Sequence, residues 1–408
     1  MDRYRQLKIT FSVLRTLVEP FFKKRLGYTY DSLKDIDGPY LLLCNHVTDY
    51  DPIMVGMAAH NQIYFVAGEN VLQKGFSSKL LRRAFDPIIH YKGRQGAQSA
   101  ANILRTLRDG HSVMLFPEGN RTFDGVTMDI PEVTGKLARR CGARVITYRL
   151  EGGYYMQPRW GTTLRHGRIR GRLVHVYEPD DMKAMTDHEM LEAIVRDLHE
   201  NAYERQADAA PDTVYTGKHL AYGLESTVFA CPYCHQMGGL HSDDDCLYCD
   251  CGRKLNYNDR GQLTDEQGVT HSIRELNLLQ KKLLASASEI SFSDTVVLCH
   301  VDETEHVIDR QSPGRLAVEG FEYATFTPDG SSEIRIPLDD VSGVAIFSRN
   351  KLIVHLADSG QNAESVQNSG SDKTGNKGPG HYELHGNTGF NALKYMYLYE
   401  LVVEKRRK

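Results

Sequence analysis

Tyr40-Leu41-Leu42-Leu43-Cys44-Asn45-His46-Val47-Thr48-Asp49-Tyr50-Asp51-Pro52 opens on five residues that suit a strand buried on both faces, then turns polar at once. A histidine ends that strand, and a carboxylate follows five residues later. Asp51-Pro52 supplies the turn, because Asp is a good N-cap and Pro is favoured at the first helical position. An Asp folded back there can orient an imidazole and stabilise its protonated form, leaving the other ring nitrogen to take a proton from a hydroxyl. The plainer alternative is a capping Asp51 beside a structural His46.

Outward from this stretch, strand-like and helix-like segments alternate. Pro52–Ala59 reads as a helix, Ile63–Ala67 as a strand, Ser77–Phe85 as a helix and Ile88–Tyr91 as a short strand. Gln95–Arg108 is helical, Ser112–Phe116 a strand, Glu132–Cys141 a helix and Arg144–Tyr148 a strand. Such alternation predicts an α/β domain with a largely parallel sheet flanked by helices, whose chemistry lies on loops past strand ends. Asp187–Gln206 reads as the helix that closes it.

The second strand that matters, Ser112–Phe116, runs into Phe116-Pro117-Glu118-Gly119-Asn120-Arg121-Thr122. Gly119 allows a tight turn, and an arginine at such a strand end can grip a phosphate in bidentate fashion. Between the two blocks, Tyr91-Lys92-Gly93-Arg94 adds a further basic group. Taken together, these residues resemble the lysophosphatidic acid acyltransferase family of glycerolipid acyltransferases. His46 with Asp51 is similar to that family's HX4D block, and Phe116–Thr122 to its FPEG-containing block. The resemblance spans about Asp37 to Val176.

The resemblance implies that His46 is the general base and that Asp51 orients it. It implies transfer from acyl-CoA or acyl-carrier protein to the free hydroxyl of 1-acyl-glycerol 3-phosphate, making phosphatidic acid. Arg94 and Arg121 would bind the acceptor phosphate, Glu118 would position Arg121 or touch the glycerol, and Gly119 belongs to the same substrate loop. Lys136, near Thr134-Gly135, could meet the phosphates of CoA or a membrane. Other acceptors (glycerol 3-phosphate or another lysolipid) and an inactive lipid-binding adaptor are the alternatives. The intact His46, Asp51, Glu118, Gly119 and Arg121 argue against the adaptor. The family's proline-containing strand is replaced here by Arg144–Arg149, so Tyr154, Tyr155 and Trp160 could line a different pocket.

The 408-residue chain carries a net charge of −4, which excludes nucleic-acid binding by bulk charge. Its basic residues cluster, with seven Arg/Lys against two acids over Met1–Leu26 and ten against one over Lys136–Leu173. Residues 1–30 read as an amphipathic helix with Leu7, Val13, Leu14, Leu17, Val18, Phe21 and Phe22 as apolar groups. It would lie on an anionic membrane or pack on its own domain, and Pro20 would kink or break it. No signal peptide or spanning segment is legible, so a cytoplasmic protein, peripheral on the inner face of the membrane, is expected.

Five of the eight cysteines fall between Cys231 and Cys251. Cys231-Pro232-Tyr233-Cys234 offers two thiolates, and Cys249 with Cys251 completes a tetrahedral site for a structural zinc; Cys246 with Cys249 is the alternative pair. His235 and His241 are weaker candidates. A redox cofactor is not expected, and Asp243, Asp244, Asp245 and Asp250 would repel nucleic acid. The domains thus run 31–215 (acyltransferase), 216–265 (zinc ribbon), 266–288 (linker helix) and 289–408. The last is a β-rich module of about seven short strands and a closing helix, resembling a pleckstrin-homology or GRAM fold. Within it, 358–380 reads as a disordered loop, and His300, Asp302, Glu303, Glu305 and His306 as a polar connection.

Overall fold

The computed structural model describes residues 3–68, 82–83, 85–90, 96–208, 212–301, 307–320, 322–330, 333–356 and 381–407. Arg94, most of the helix expected over Ser77–Phe85, the loop Asp358–Gly380 and the acidic part of the His300–His306 connection lie outside them. The chain divides into two compact units: Met1–Leu220 with Tyr257–Leu263 and Ser272–Arg274, and the remainder.

In the first unit seven strands form one sheet: β1 (Tyr28–Tyr30), β2 (Tyr40–Cys44), β3 (Tyr64–Gly68), β4 (Ile88–His90), β5 (Val113–Leu115), β6 (Arg144–Glu151) and β7 (Ile169–Tyr177), ordered β1-β7-β6-β2-β5-β3-β4. The stretch β6-β2-β5-β3-β4 is parallel, whereas β7 runs antiparallel to β6 and carries β1 parallel to itself. The sheet is therefore mixed. β2 lies among parallel neighbours, and Leu41, Leu42, Leu43 and Cys44 are wholly buried. That burial is why the strand is apolar without alternation. Helices Gly96–Arg108, Val133–Arg140 and Asp187–Leu198 contribute Ile103, Leu107, Ala138 and Ile194 to the core around Leu41, Leu43, Val113 and Val145.

The closing helix expected over Asp187–Gln206 is two helices, Asp187–Leu198 and Ala202–Asp208. Asn201 causes the break, since its side-chain oxygen accepts the N–H groups of Tyr203 and Glu204. Helix α1 (Arg3–Leu26) runs through Pro20 rather than breaking there; Pro20 is exposed, so water can meet the carbonyl its missing N–H leaves open. The helix has two apolar faces. Leu7, Phe11, Phe22 and Leu26 are buried, with Phe11 against Gly56 and Phe22 edge-on to Tyr50. Ile9, Val13, Leu17 and Phe21 point outward, and Leu17 is 70% exposed. No helix among the described residues is long and apolar enough to cross a membrane.

The second unit begins with a cysteine-bearing segment whose strands β8 (Leu240–Asp243), β9 (Cys246–Cys249) and β10 (Lys254–Tyr257) form an antiparallel meander; next along the chain come β11 (Gln262–Thr264), whose Gln262 and Leu263 belong to the first unit, and β12 (Thr270–Ser272). Helix Ile273–Ser286 is held by buried polar side chains. Its buried Gln280 accepts the N–H of Phe229 and donates to the carbonyl of Thr227, and Asn277 accepts the hydroxyl of Tyr397. Eight strands then make one sheet: β13 (Ser291–Val301), β14 (Val307–Arg310), β15 (Gly314–Glu319), β16 (Tyr323–Pro328), β17 (Ile334–Pro337), β18 (Val341–Phe347), β19 (Lys351–Leu356) and β20 (His381–Gly386). Their order is β17-β16-β15-β13-β20-β19-β18 with β14 on β13, and helix Ala392–Arg407 ends the chain.

Candidate active site

The two polar loops after β2 and β5 are stitched together through backbone groups. The N–H of His46 donates to Glu118 Oε1 at 2.7 Å, and the carbonyl of His46 accepts from the N–H of Thr122 at 2.9 Å. Parallel pairing of β2 with β5 delivers both loops to the same sheet edge. Gly119 has φ +70° and closes a turn onto the carbonyl of Phe116. A side chain there would be strained, so Gly119 serves the turn.

Asp51 is wholly buried and collects donors from the loop it closes. Its Oδ2 lies 2.7 Å from His46 Nδ1 and accepts the N–H groups of Val47 (2.6 Å) and Thr48 (3.0 Å). Its Oδ1 accepts from the N–H and hydroxyl of Thr48. Asp51 is thus the first residue of helix α2 (Asp51–Ala59), not its N-cap: Tyr50 holds that place with no side-chain bond. The carboxylate faces the loop and the helix N-terminus, both of which favour negative charge. At that distance Asp51 is placed to accept a proton carried on Nδ1, the tautomer that frees Nε2. Phe116 stacks on the imidazole at 4.7 Å, fixing the plane of the partly exposed ring.

Glu118 serves the backbone of both loops. Both carboxylate oxygens are used on backbone, one on His46 and the other on the N–H of Met128 at 2.7 Å. Burial pushes its carboxyl up to about 8, against those two N–H groups, which pull it down. The folded value exceeds that of an unfolded chain, so the stability Glu118 contributes is full below about 4.5 and is lost as pH rises through about 8. Glu118→Gln should flatten the fall of melting temperature between pH 5 and 8. It should also cost about 1–3 kcal/mol, because an amide can accept only one of the two N–H groups. Thermal melts across that range check both.

Arg121 is 9% exposed. Its Nε pairs with Asp49 Oδ1 at 3.2 Å, its carbonyl accepts from Arg159, and its buried Nη1 meets no partner among the described residues. Asp49 is in turn held by Gln157, through its N–H (2.9 Å) and its Oδ2 (3.2 Å). Asp49, Gln157 and Asn45 were not legible as site residues. Asn45 holds the loop base by exchanging two side-chain bonds with the backbone of Leu150. An Asn next to the histidine at a strand end was the available signal.

Lys136 is exposed on helix Val133–Arg140, where its electrostatic neighbour is Asp187; Thr134 and Gly135 are buried, Gly135 tight against the backbone of Asp187. Much of the second basic cluster is already paired: Arg139 with Asp187, Arg144 with Glu178, Arg149 with Glu151 and Arg170 with Asp31. The acids come from outside the cluster or, as with Glu151, from its single carboxylate. Tyr154, Tyr155 and Trp160 belong to the interior. They are fully buried with Tyr203, Tyr215 and Tyr257 in an aromatic core.

The family model described as Acyltransferase matches residues 24–151, which contain both loops. This stretch is an acyltransferase domain. The pair His46–Asp51 sits inside the matched region. The crystal structure of the 1-acyl-sn-glycerophosphate (LPA) acyltransferase PlsC from Thermotoga maritima is similar over 46% of this chain and 74% of its own, at 16% identity and a TM-score of 0.39.

Proposed function

We propose that the acyltransferase domain moves an acyl group from acyl-CoA or acyl-carrier protein to the free hydroxyl of 1-acyl-glycerol 3-phosphate, giving phosphatidic acid and a free thiol. The observation that carries this reading is Arg121: a buried guanidinium with one nitrogen unpartnered among the described residues, on the loop bonded to the His46 backbone, suits a phosphate anchored beside an alcohol. His46 Nε2 takes the hydroxyl proton as the oxygen attacks the thioester carbonyl. Asp51 stabilises the imidazolium, and collapse expels the sulfur, which leaves as thiol with the proton. Glycerol 3-phosphate would satisfy the same arginine, so an acceptor panel separates the two. The thioester carbon would go to whichever acceptor gives the higher kcat/KM.

The acceptor is lipid, and we place the domain on the inner face of the membrane through the outward stripe of α1. Ile9, Val13, Leu17 and Phe21 recur every four residues, flanked by exposed Arg5, Lys8, Lys24 and Arg25. Leu17→Glu with Phe21→Glu should lower cosedimentation with anionic vesicles by at least about tenfold while the melting temperature holds, since neither side chain is buried. Unchanged binding would remove α1 from the contact. We also propose that the β13–β20 sheet with its closing helix is a pleckstrin-homology or GRAM-like module that makes a lipid or protein contact.

A further inference from the structure

Four sulfurs in the second unit form a cage that acyl transfer does not use. Cys231, Cys234, Cys249 and Cys251 place their Sγ atoms within 4.8 Å of one another. Cys231 to Cys251 is 3.9 Å and Cys234 to Cys249 is 3.7 Å. A disulfide would bring a pair to about 2.05 Å. A tetrahedral Zn–S4 centre with bonds of about 2.3 Å spaces its sulfurs about 3.8 Å apart. The cage therefore has the dimensions of a thiolate-bound ion.

Its two halves are built by tight turns. In the first, the N–H of Tyr233 points at Cys231 Sγ (3.5 Å), and the N–H of His235 bonds the carbonyl of Cys231. In the second, Gly252 at φ +88° bonds back to the carbonyl of Cys249. Cys246 is excluded by strand geometry. It lies three residues before Cys249 on β9, so the two side chains leave opposite faces and cannot reach one ion. Its sulfur instead approaches the carbonyl of Leu247. His241 pairs with Asp250, and His235 is likewise not needed to complete the four.

We propose that Cys231, Cys234, Cys249 and Cys251 bind one structural zinc ion that pins the cysteine segment to the core of the second unit. Four protein sulfurs leave no open position for a substrate or water. The pin acts through Phe229, two residues before Cys231, whose ring meets Phe292 and Tyr397 at 6.3 and 6.4 Å and whose N–H is held by Gln280. Iron would fit the same sulfurs, but acyl transfer is redox-neutral and gives a one-electron centre nothing to do.

The experiment is elemental analysis of the purified full chain, with visible spectra of the same sample and of protein refolded with Co2+. One zinc per chain, no colour as isolated and the absorption of tetrahedral thiolate-bound cobalt are expected. Cys246→Ser should keep the full equivalent, whereas Cys251→Ser, at an exposed ligand, should fall below about one fifth. Chelation should lower the melting temperature and expose the region around Cys231 to protease. An iron chromophore, disulfides by mass spectrometry, absence of metal in a folded chain, or equal loss of zinc in both variants would overturn the proposal. The cobalt spectrum of the unsubstituted chain decides even if Cys251→Ser does not fold.

Discussion

Replacing His46 by alanine is expected to lower acyl transfer by roughly 100- to 10,000-fold, the range that a positioned general base supplies. The fold should survive. The His46 backbone, not its ring, carries the bonds to Glu118 and Thr122, and the ring is partly exposed. Turnover of the variant, its melting temperature and its cosedimentation with lipid vesicles check this together; retained turnover would remove the base. Asp51→Asn tests the same dyad from below. Its amide would set a donor against the N–H groups of Val47 and Thr48, so rate and stability should fall together.

The second large effect is at Arg121. Arg121→Ala should raise the apparent KM for the phosphorylated acceptor by roughly 10- to 100-fold, the loss expected for a charge-assisted pair, and change that for the thioester far less. The cost to folding should be small, because the partner it abandons, Asp49, is 65% exposed. Arg121→Lys should recover little, since an ammonium cannot reproduce a planar fork that Asp49 holds on one side and that the proposed phosphate would meet on the other. Initial-rate kinetics with each substrate varied in turn check it, and equal shifts in both constants would refute the phosphate assignment.

Both loops were legible because each follows a strand buried on both faces, and such strands are uninterrupted runs: YLLLC before His46, SVMLF before Glu118. What tied them together was not, since the His46–Glu118 and Thr122–His46 bonds run between backbone and groups 70 or more residues distant. For Glu118 the sequence shows a carboxylate beside an arginine, hence the reading that it positions Arg121 or touches the glycerol, but not the backbone N–H groups it serves.

β7 was missed although its signal was present. Ile169-Arg170-Gly171-Arg172 alternates buried and exposed, but its arginines drew it into a basic run. Gly171 in that strand is demanded by packing: a Cβ would sit 2.5 Å from the Tyr148 hydroxyl and 2.7 Å from that of Tyr28. Similarly, α1 was read as apolar residues on one helix. Only packing divides Leu7 and Phe22, which face the domain, from Val13, Leu17 and Phe21, which face outward.

The most direct measurement is thiol release from a long-chain acyl thioester on adding 1-acyl-glycerol 3-phosphate to the purified protein, with the lipid product followed by mass spectrometry. The dyad and the arginine predict acceptor-dependent release matched by phosphatidic acid, and neither signal from His46→Ala. Thioester cleavage that proceeds at the same rate without acceptor, or survives in His46→Ala, would contradict the account.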